Sequence, residues 1–289
     1  MLQKLPYSIN VGGQLLSLET PIVMGILNAT PDSFYQHHEG AEATRQRLRQ
    51  MLGQGAAIVD VGACSTRPGS TPVEEKEEAR RLREVLATVR EEAPDAVVSV
   101  DTFRASIAKM CVEEFGVQMV NDISGGDLDS EMFPTVAALG VPYVLTGGAL
   151  PSAAHSTLGS LLFQLGTKAE RLHEMGVCDV IIDPGFGFGK TLEQNYAIMQ
   201  NLEVLHELEL PLLVGISHKS MIWRLLGQSP DEAQNGTTVL NTIALTKGAH
   251  ILRVHEVKEA VECIKIVGQL RKQEHEITSN ADGTSAFPG

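Results

Sequence analysis

Long apolar runs are missing from this chain of 289 residues. Its apolar runs reach about seven residues, whereas a helix that spans a membrane needs roughly twenty. Paired cysteines are missing too, because the four cysteines lie far apart and lack metal-ligand spacing. No signal peptide is recognisable. We therefore expect reduced thiols and a cytoplasmic protein with no membrane partner.

Positive charge is also scarce. The chain has 23 lysine and arginine residues against 36 aspartate and glutamate residues, which gives a formal net charge of −13 at pH 7. This excess of negative charge argues against nucleic acid as a partner. An anionic substrate would need a local cluster of lysine and arginine side chains.

Two familiar phosphate-binding motifs are absent from the loop at residues 183–191, although the loop looks like both. It has three alternating glycines directly after the apolar run 180–182, which is typical of a ligand site at the end of a buried strand. A Walker loop needs glycine where Pro184 stands, and a dinucleotide fingerprint needs glycine at Lys190. The ligand must therefore be inferred from other residues.

Short, β-branched apolar runs recur along the chain. There are eight, at residues 22–28, 58–62, 97–102, 119–124, 142–146, 180–183, 212–217 and 251–255. Most gaps between them have the apolar periodicity of helices. This alternation predicts an α/β fold, the (β/α)8 TIM barrel, with a doubly wound open sheet as the alternative. The barrel is favoured because only one more helix, at residues 257–270, follows the last strand.

The two ends of the chain complete the predicted organisation. Two alternating runs flank a turn at residues 10–14, which predicts an N-terminal β-hairpin that closes the bottom of the barrel. Residues 1–272 are predicted to form a single domain. Residues 273–289 are polar and contain glycine, so we expect a disordered C-terminal tail.

Polar residues end nearly every predicted strand, where a barrel places its active-site mouth. They include Asn28, Arg67, Asp101, Asn121, Asp122, Thr146, Asp183, Ser217, Lys219, Arg253 and His255. A buried polar side chain is costly unless it is paired, and stability alone does not require one at each strand end. The pattern therefore predicts a binding site at the mouth.

These polar residues form two chemical groups. Asp101, Asn121 and Asp183 suit a flat heterocycle that offers N–H donors beside acceptors, and Lys219 suits a carbonyl oxygen of that ring. The cationic side chains suited to a diphosphate or a carboxylate are those of Arg67, Arg253 and His255. We expect a heterocycle at depth and an anion near the rim.

Six motifs, in this order along the chain, resemble those of the dihydropteroate synthase family. They lie at residues 24–34, 65–69, 101–102, 121–126, 183–191 and 253–255. The resemblance implies an enzyme of folate biosynthesis that joins 6-hydroxymethyl-7,8-dihydropterin diphosphate to para-aminobenzoate. The products would be 7,8-dihydropteroate and pyrophosphate. It also implies a homodimer and a target of sulfonamides.

The resemblance implies a role for each matching residue. The pterin would be held by Asp101, Asn121, Asp183 and Lys219, with Phe188 as a candidate contact. The diphosphate and Mg²⁺ would be held by Asn28, Arg253 and His255, with Asn28 as the metal ligand. The para-aminobenzoate site would be formed by Thr66, Arg67, Pro68 and Ser217. Asp101, Asp183, Lys219 and Arg253 would carry the chemistry.

This chemistry agrees with the residue types. Loss of diphosphate leaves positive charge on the pterin methylene group, which Asp101 and Asp183 would stabilise. Mg²⁺ and Arg253 would stabilise the leaving anion. The amine needs only to be positioned, so a Ser/His/Asp triad is not required, and none is recognisable.

The chain departs from the usual family sequence after two strands. After the fifth strand the family usually has Met-His-Met, whereas this chain has Thr146, Gly147 and Gly148. After the seventh strand, His218 replaces the usual arginine, so a titratable imidazole stands in place of a fixed positive charge. The departures motivate one alternative, a catalytically weakened pterin-binding protein. A second alternative is a pterin-dependent methyltransferase, against which the intact motifs at residues 28–34 and 65–69 argue.

Overall fold

The computed structural model describes residues 7–29, 37–63, 73–151 and 157–282. Within these ranges, strands and helices alternate along the chain as the sequence predicts. Three predicted site residues, Thr66, Arg67 and Pro68, lie outside the described residues. Their roles therefore stay predictions.

The first two described strands form a β-hairpin. Strand β1 (Ser8–Val11) pairs antiparallel with strand β2 (Gln14–Ser17). Gly12 and Gly13 form the turn with φ values of 63° and 88°, the left-handed values that a tight hairpin turn needs. The predicted N-terminal hairpin is confirmed.

Eight parallel strands form the barrel. They are β3 (Ile22–Asn28), β4 (Ile58–Gly62), β5 (Val98–Asp101), β6 (Met119–Asp122), β7 (Tyr143–Thr146), β8 (Val180–Asp183), β9 (Leu213–Val214) and β10 (Ile251–Val254). The sheet order is β8-β7-β6-β5-β4-β3-β10-β9. A single parallel bridge between Ile182 and Leu212 joins the two ends of this order. The predicted TIM barrel is confirmed.

Helices alternate with these strands. They are α1 (His37–Gly53), α2 (Glu75–Glu92), α3 (Ala105–Phe115), α4 (Met132–Leu139), α5 (Thr157–Glu174), α6 (Leu192–Gln200), α7 (Ser220–Leu226), α8 (Gln234–Thr246) and α9 (Val257–Asp282), with 3-10 helices at Leu202–Leu208 and Pro230–Glu232. Consecutive helices pack against each other around most of the barrel. Across the four described ranges, no helix combines the length and the apolar character needed to cross a membrane.

The last helix extends further than the sequence analysis predicts. Helix α9 continues through Asp282, beyond the predicted end at residue 270. The segment 273–282, predicted as the start of a disordered tail, is therefore helical. Polarity alone suggested a tail, but this segment has several residues with good helix propensity, such as Glu274 and Glu276. Residues 283–289 lie outside the described part of the chain.

Side chains that point into the barrel are arranged in layers. The lower layer is apolar and packs against Ile9, Val11 and Leu18 of the hairpin segment. Its buried residues on the barrel strands are Met24, Ile58, Met119, Val144, Ile181, Leu213 and Ile251. Nearer the carboxyl ends of six of the strands, the inward positions are polar. These positions, which we call the polar layer, are Asp60, Asp101, Asn121, Thr146, Asp183 and Arg253. The polar layer therefore lies above a largely apolar lower layer.

Candidate functional site

The guanidinium of Arg253 joins two carboxylates across the polar layer. Its Nε donates to Oδ2 of Asp60 over 2.6 Å, and its Nη2 donates to Oδ2 of Asp101 over 2.5 Å. Burial alone would lower the pKa of Arg253, but the two carboxylates raise that pKa above its ordinary value. The side chain is therefore a fixed cation in the interior of the barrel.

Asp60 is the member of the polar layer that the sequence analysis missed. Its Oδ2 accepts hydrogen bonds from Arg253 and, over 3.0 Å, from Nδ2 of Asn121. Its Oδ1 is buried without a hydrogen-bond partner in the described residues, and so is Oγ1 of Thr146. Unpaired buried oxygens are costly, so these two atoms indicate a ligand that brings hydrogen-bond donors. A charged residue in the middle of an apolar strand was the available signal.

Burial raises the pKa of both carboxyl groups at the ends of β5 and β8. The pKa of Asp101 rises to about 7, because desolvation raises it by more than the charge of Arg253 lowers it. Repulsion from the Asp60 carboxylate raises this pKa further. Desolvation also raises the pKa of Asp183, although the backbone N–H of Gly185 donates to its Oδ1 over 2.7 Å. Carboxyl groups perturbed in this way occur most often at functional sites.

Lys219 brings a second cation to the site. It lies between β9 and α7, and its Nζ is 3.9 Å from the centroid of the Phe188 ring. Desolvation and the charge of Arg253 lower the pKa of Lys219 to about 8, while the nearby carboxylate of Asp183 partly opposes this shift. The structure therefore brings Lys219 and Phe188 together with the polar layer, as the sequence analysis predicts.

Adjacent residues of β6 have different functions. Asn121 points into the barrel and contacts Asp60. The carboxylate of Asp122 instead accepts hydrogen bonds from Tyr143, Ser124 and the backbone of Gly126. Asp122, one of the polar strand ends in the sequence, is thus a structural residue that fixes the turn after β6.

Lys190 connects the loop after β8 to the loop after β7. Its Nζ donates to the backbone oxygens of Gly147 and Gly148 over 2.8 Å, and to that of Gly185 over 2.9 Å. Desolvation lowers the pKa of Lys190 to about 8. Gly185 has a φ of 70°, and a Cβ there would lie 2.1 Å from the backbone oxygen of Gly147. Only glycine fits this approach of two backbones.

The departure from Met-His-Met after β7 is part of this packing. A Cβ on Gly147 would lie 2.5 Å from Cδ1 of Leu161 and 3.1 Å from the backbone oxygen of Pro184. The chain after β7 therefore lies close to the loop after β8, and a larger residue at position 147 would have to displace the end of the Leu161 side chain. At Gly147 and Gly148, backbone atoms therefore line the position where the family usually has side chains.

A rim cluster follows the ends of β9 and β10. We use this name for Ser217, His218, His255 and Glu256. Oγ of Ser217 lies 2.8 Å from Nδ1 of His255 and 3.3 Å from Oε2 of Glu256. Nε2 of His218 lies 2.8 Å from Oε1 of Glu256. The structure thus brings together Ser217 and His255, which the sequence analysis assigns to different substrates, and it adds a contact between His218 and Glu256.

Asn28 ends β3 at the mouth of the barrel. It pairs in register with Gly62 of β4, and its side chain is exposed. That side chain makes no hydrogen bond to any residue that the structure describes. Its amide oxygen is available to a ligand at the mouth. This position agrees with the expected role of Asn28 as a contact of the metal ion and the diphosphate.

Comparison with known proteins decides the family. A family model described as a pterin binding enzyme matches residues 24–255. The dihydropteroate synthase of Bacillus subtilis (strain 168) is 36% identical, over 86% of this chain and 88% of that protein. The chain belongs to the dihydropteroate synthase family. The resemblance drawn from the six motifs is therefore confirmed.

Solved structures of dihydropteroate synthases share the fold. That of Xanthomonas albilineans with 4-aminobenzoic acid has a TM-score of 0.85 and 31% identity, over 92% of this chain and 99% of that chain. That of Thermus thermophilus in complex with 6HMPPP has a TM-score of 0.79 and 32% identity, over 91% of this chain and 100% of that chain. The polar layer lies wholly within the part of the chain that the dihydropteroate synthase family shares.

Proposed function

We propose that this chain catalyses the dihydropteroate synthase reaction. It joins 6-hydroxymethyl-7,8-dihydropterin diphosphate to para-aminobenzoate, and it releases pyrophosphate. The observation that carries the proposal is the polar layer, in which buried carboxylates and an amide face the mouth and two polar oxygens have no partner among the described residues. Family membership at 36% identity supports the same reaction.

The pterin ring is the substrate part that matches the polar layer. The carboxylates of Asp60, Asp101 and Asp183 accept hydrogen bonds, and Lys219 donates to a ring carbonyl. Ring N–H groups would supply the donors that Asp60 lacks, which lowers the cost of keeping these carboxylates ionised in the barrel. Binding of the pterin and ionisation of Asp101 should therefore favour each other.

The reaction breaks the C–O bond between the pterin methylene group and the diphosphate, and forms a C–N bond to the amine of para-aminobenzoate. Positive charge develops on the pterin as the diphosphate departs with its electron pair. Asp101 and Asp183 stabilise that charge from fixed positions, and Arg253 attracts the leaving anion. The amine then loses its proton to water or to the released pyrophosphate. The role of this chain is to position both substrates and to stabilise the developing charges electrostatically.

Mg²⁺ is part of the proposal. Asn28 fits this ion because Mg²⁺ prefers oxygen ligands and is usually held by one or two protein groups together with substrate phosphates. The exposed amide oxygen of Asn28 at the mouth is such a group. When bound, Mg²⁺ would neutralise charge on the diphosphate. Arg253 and His255 are the proposed further contacts of that anion.

The proposed para-aminobenzoate site lies on the side of Ser217. Thr66, Arg67 and Pro68, which lie outside the described residues, would complete it, with Arg67 as the partner of the carboxylate. This part of the proposal rests on the matching positions in the family sequence. The complex of the Xanthomonas albilineans relative with 4-aminobenzoic acid supports this substrate class.

We also propose a homodimer in the cytoplasm. Large apolar side chains that are at least half exposed lie on the outer faces of α7, α8 and α9; they are Leu225, Leu226, Val239, Ile266 and Leu270. Helices α8 and α9 pack together, so a second copy could cover both. Cys111, Cys178 and Cys263 are free thiols, which a reducing compartment preserves.

The test of the proposed reaction is release of pyrophosphate that requires both substrates. Purified protein is given the pterin diphosphate and Mg²⁺ with or without para-aminobenzoate. We expect release only with the amine, its loss on addition of EDTA, and a large loss in Arg253→Met. An Arg83→Met variant on the surface of α2 is the control. Release that does not depend on the amine would contradict the proposal.

A second candidate function is that of a pterin-binding protein that does not convert the bound pterin to product. The sequence Thr146-Gly147-Gly148, which removes the usual methionine and imidazole side chains from the mouth, favours this candidate. Calorimetry separates the two functions. Pterin binding of ordinary strength without pyrophosphate release would select the binding protein.

A further inference from the structure

We propose that the rim cluster is a binding site for a transition-metal ion such as Zn²⁺. His218, His255 and Glu256 each offer one ligand atom, and these atoms lie within 4.8 Å of one another. His218 follows β9, and the other two residues follow β10. Because β9 and β10 pair in parallel, their carboxyl ends lie side by side and bring the three groups together.

The orientation of His218 supports a metal ligand. Its Nδ1 lies 2.6 Å from the backbone oxygen of Pro230, so Nδ1 carries a hydrogen and donates it. Its Nε2 faces Oε1 of Glu256 over 2.8 Å. Both atoms are therefore placed where one cation could bind them together. A backbone oxygen on the outer nitrogen is the usual way in which a metal-binding histidine is held.

The backbone at His218 is also specialised. Its φ of 55° is in the left-handed region, where a residue other than glycine is uncommon. Its backbone N–H donates to Oγ1 of Thr237 on α8, over 3.2 Å. The imidazole is therefore held at the rim by contacts at both its backbone and its ring. A fixed conformation of this kind suits a ligand side chain.

Ser217 orients the other two proposed ligands. Its Oγ lies 2.8 Å from Nδ1 of His255 and 3.3 Å from Oε2 of Glu256. The rings of His218 and His255 meet edge to face, with centroids 5.3 Å apart. Ser217 thus plays the part of an outer hydrogen-bond partner that holds the ligands in place.

The ligand set selects the class of metal. Two imidazoles and one carboxylate suit Zn²⁺, Co²⁺ or Ni²⁺, whereas Mg²⁺ prefers oxygen alone. The site is therefore distinct from the proposed Mg²⁺ contact at Asn28. Three protein ligands leave a coordination position open, and all three residues are only partly buried. An anionic oxygen of the diphosphate or of a carboxylate can take that position, so in the metal-bound protein His255 would act on the diphosphate through the ion. The bound ion would also restore the positive charge that the usual arginine gives at position 218.

Titration of the metal-stripped protein with Co²⁺ tests the site without any measurement of turnover. We expect one Co²⁺ per chain with visible absorption bands, and competition by one equivalent of Zn²⁺ in calorimetry. His218→Arg and Glu256→Gln should each weaken binding about 100-fold or more, and Ser217→Ala about tenfold with the bands retained. His173→Ala, in the last turn of α5, is the matched control and should bind as the wild type does.

Two outcomes would overturn the proposal. One is a wild-type protein that binds no stoichiometric Co²⁺. The other is binding that the His218 and Glu256 variants retain in full, which would place the ion elsewhere. Circular dichroism of the metal-stripped variants checks their fold, and the use of two variants keeps the test valid if one of them fails to fold. Because the readout is metal binding, the result is independent of whether the chain is a synthase.

Discussion

Replacement of Lys219 by methionine should make the folded protein more stable while it weakens pterin binding. Desolvation and Arg253 lower the pKa of Lys219 to about 8 in the folded chain. An unfolded chain keeps a lysine proton up to about pH 10.4. Folding therefore costs free energy when the Lys219 side chain is charged. Methionine has a similar length and no charge, so it removes this cost.

The size of the effect follows from the shift. A pKa that falls from 10.5 to about 8 corresponds to roughly 3 kcal/mol. We expect a gain of only about 1–2 kcal/mol in the free energy of unfolding at pH 7, because the side chain is half-buried and water still screens its charge. The favourable contact of Nζ with the Phe188 ring is lost at the same time.

The pH dependence has a definite sign. Between about pH 8 and pH 10.5 the folded wild type holds fewer protons than the unfolded chain, so its stability rises with pH. The methionine variant lacks this rise. The difference in stability between the two proteins should be largest below pH 8 and should disappear towards pH 10.5.

Urea denaturation at pH 7 and pH 10 measures the stability, and calorimetry with the pterin diphosphate measures the affinity. Loss of a charged hydrogen-bond donor should weaken pterin binding about 10- to 100-fold. Lys109→Met, on the exposed face of α3, is the matched control and should change neither quantity. A Lys219→Met variant that is less stable at pH 7, or that binds the pterin with unchanged affinity, would refute this reasoning.

Three further predictions concern other parts of the site. Asp60→Asn should weaken pterin binding at least about tenfold in calorimetry, because Arg253 loses a charged partner; equal affinity would remove Asp60 from the site. Lys190→Met should lower the free energy of unfolding in urea by about 2–4 kcal/mol, since several backbone oxygens lose their donor; an unchanged value would mean that water replaces it. Arg67→Ala should raise the KM for para-aminobenzoate in steady-state kinetics. Collapse of pterin affinity in that variant would show that the division of the site is wrong.

The barrel could be predicted from the sequence because its signal is local. Each buried strand is a short apolar run, and a polar residue at its end marks the mouth of a barrel. Asp101, Asn121 and Asp183 were found in this way. Asp60 was missed because it lies inside its strand, where only the alternation of inward and outward side chains shows that it faces the same cavity.

Contacts between distant parts of the chain could not be predicted. Lys190 reaches Gly147, which lies 43 residues earlier, and no local pattern announces that contact. The pairing of His218 with Glu256 depends on the neighbouring positions of β9 and β10 in the closed barrel. The sequence showed His218 only as a departure from the family, and its partner became visible in the fold.

The end of α9 shows the limit of composition as a guide. Polar residues with glycine nearby suggested a tail from residue 273, yet the helix continues through Asp282. Glu274 and Glu276 have good helix propensity, but Thr278 and Asn280 do not, so composition does not explain where the helix ends.

Formation of 7,8-dihydropteroate is the measurement that tests the central claim most directly. Purified protein is incubated with the pterin diphosphate, para-aminobenzoate and Mg²⁺, and the product is identified by mass spectrometry. We predict product with the wild type, none after addition of EDTA, and a large loss in Asp183→Asn, which changes one carboxylate of the polar layer. Absence of product from wild-type protein that still binds the pterin in calorimetry would contradict the proposed reaction.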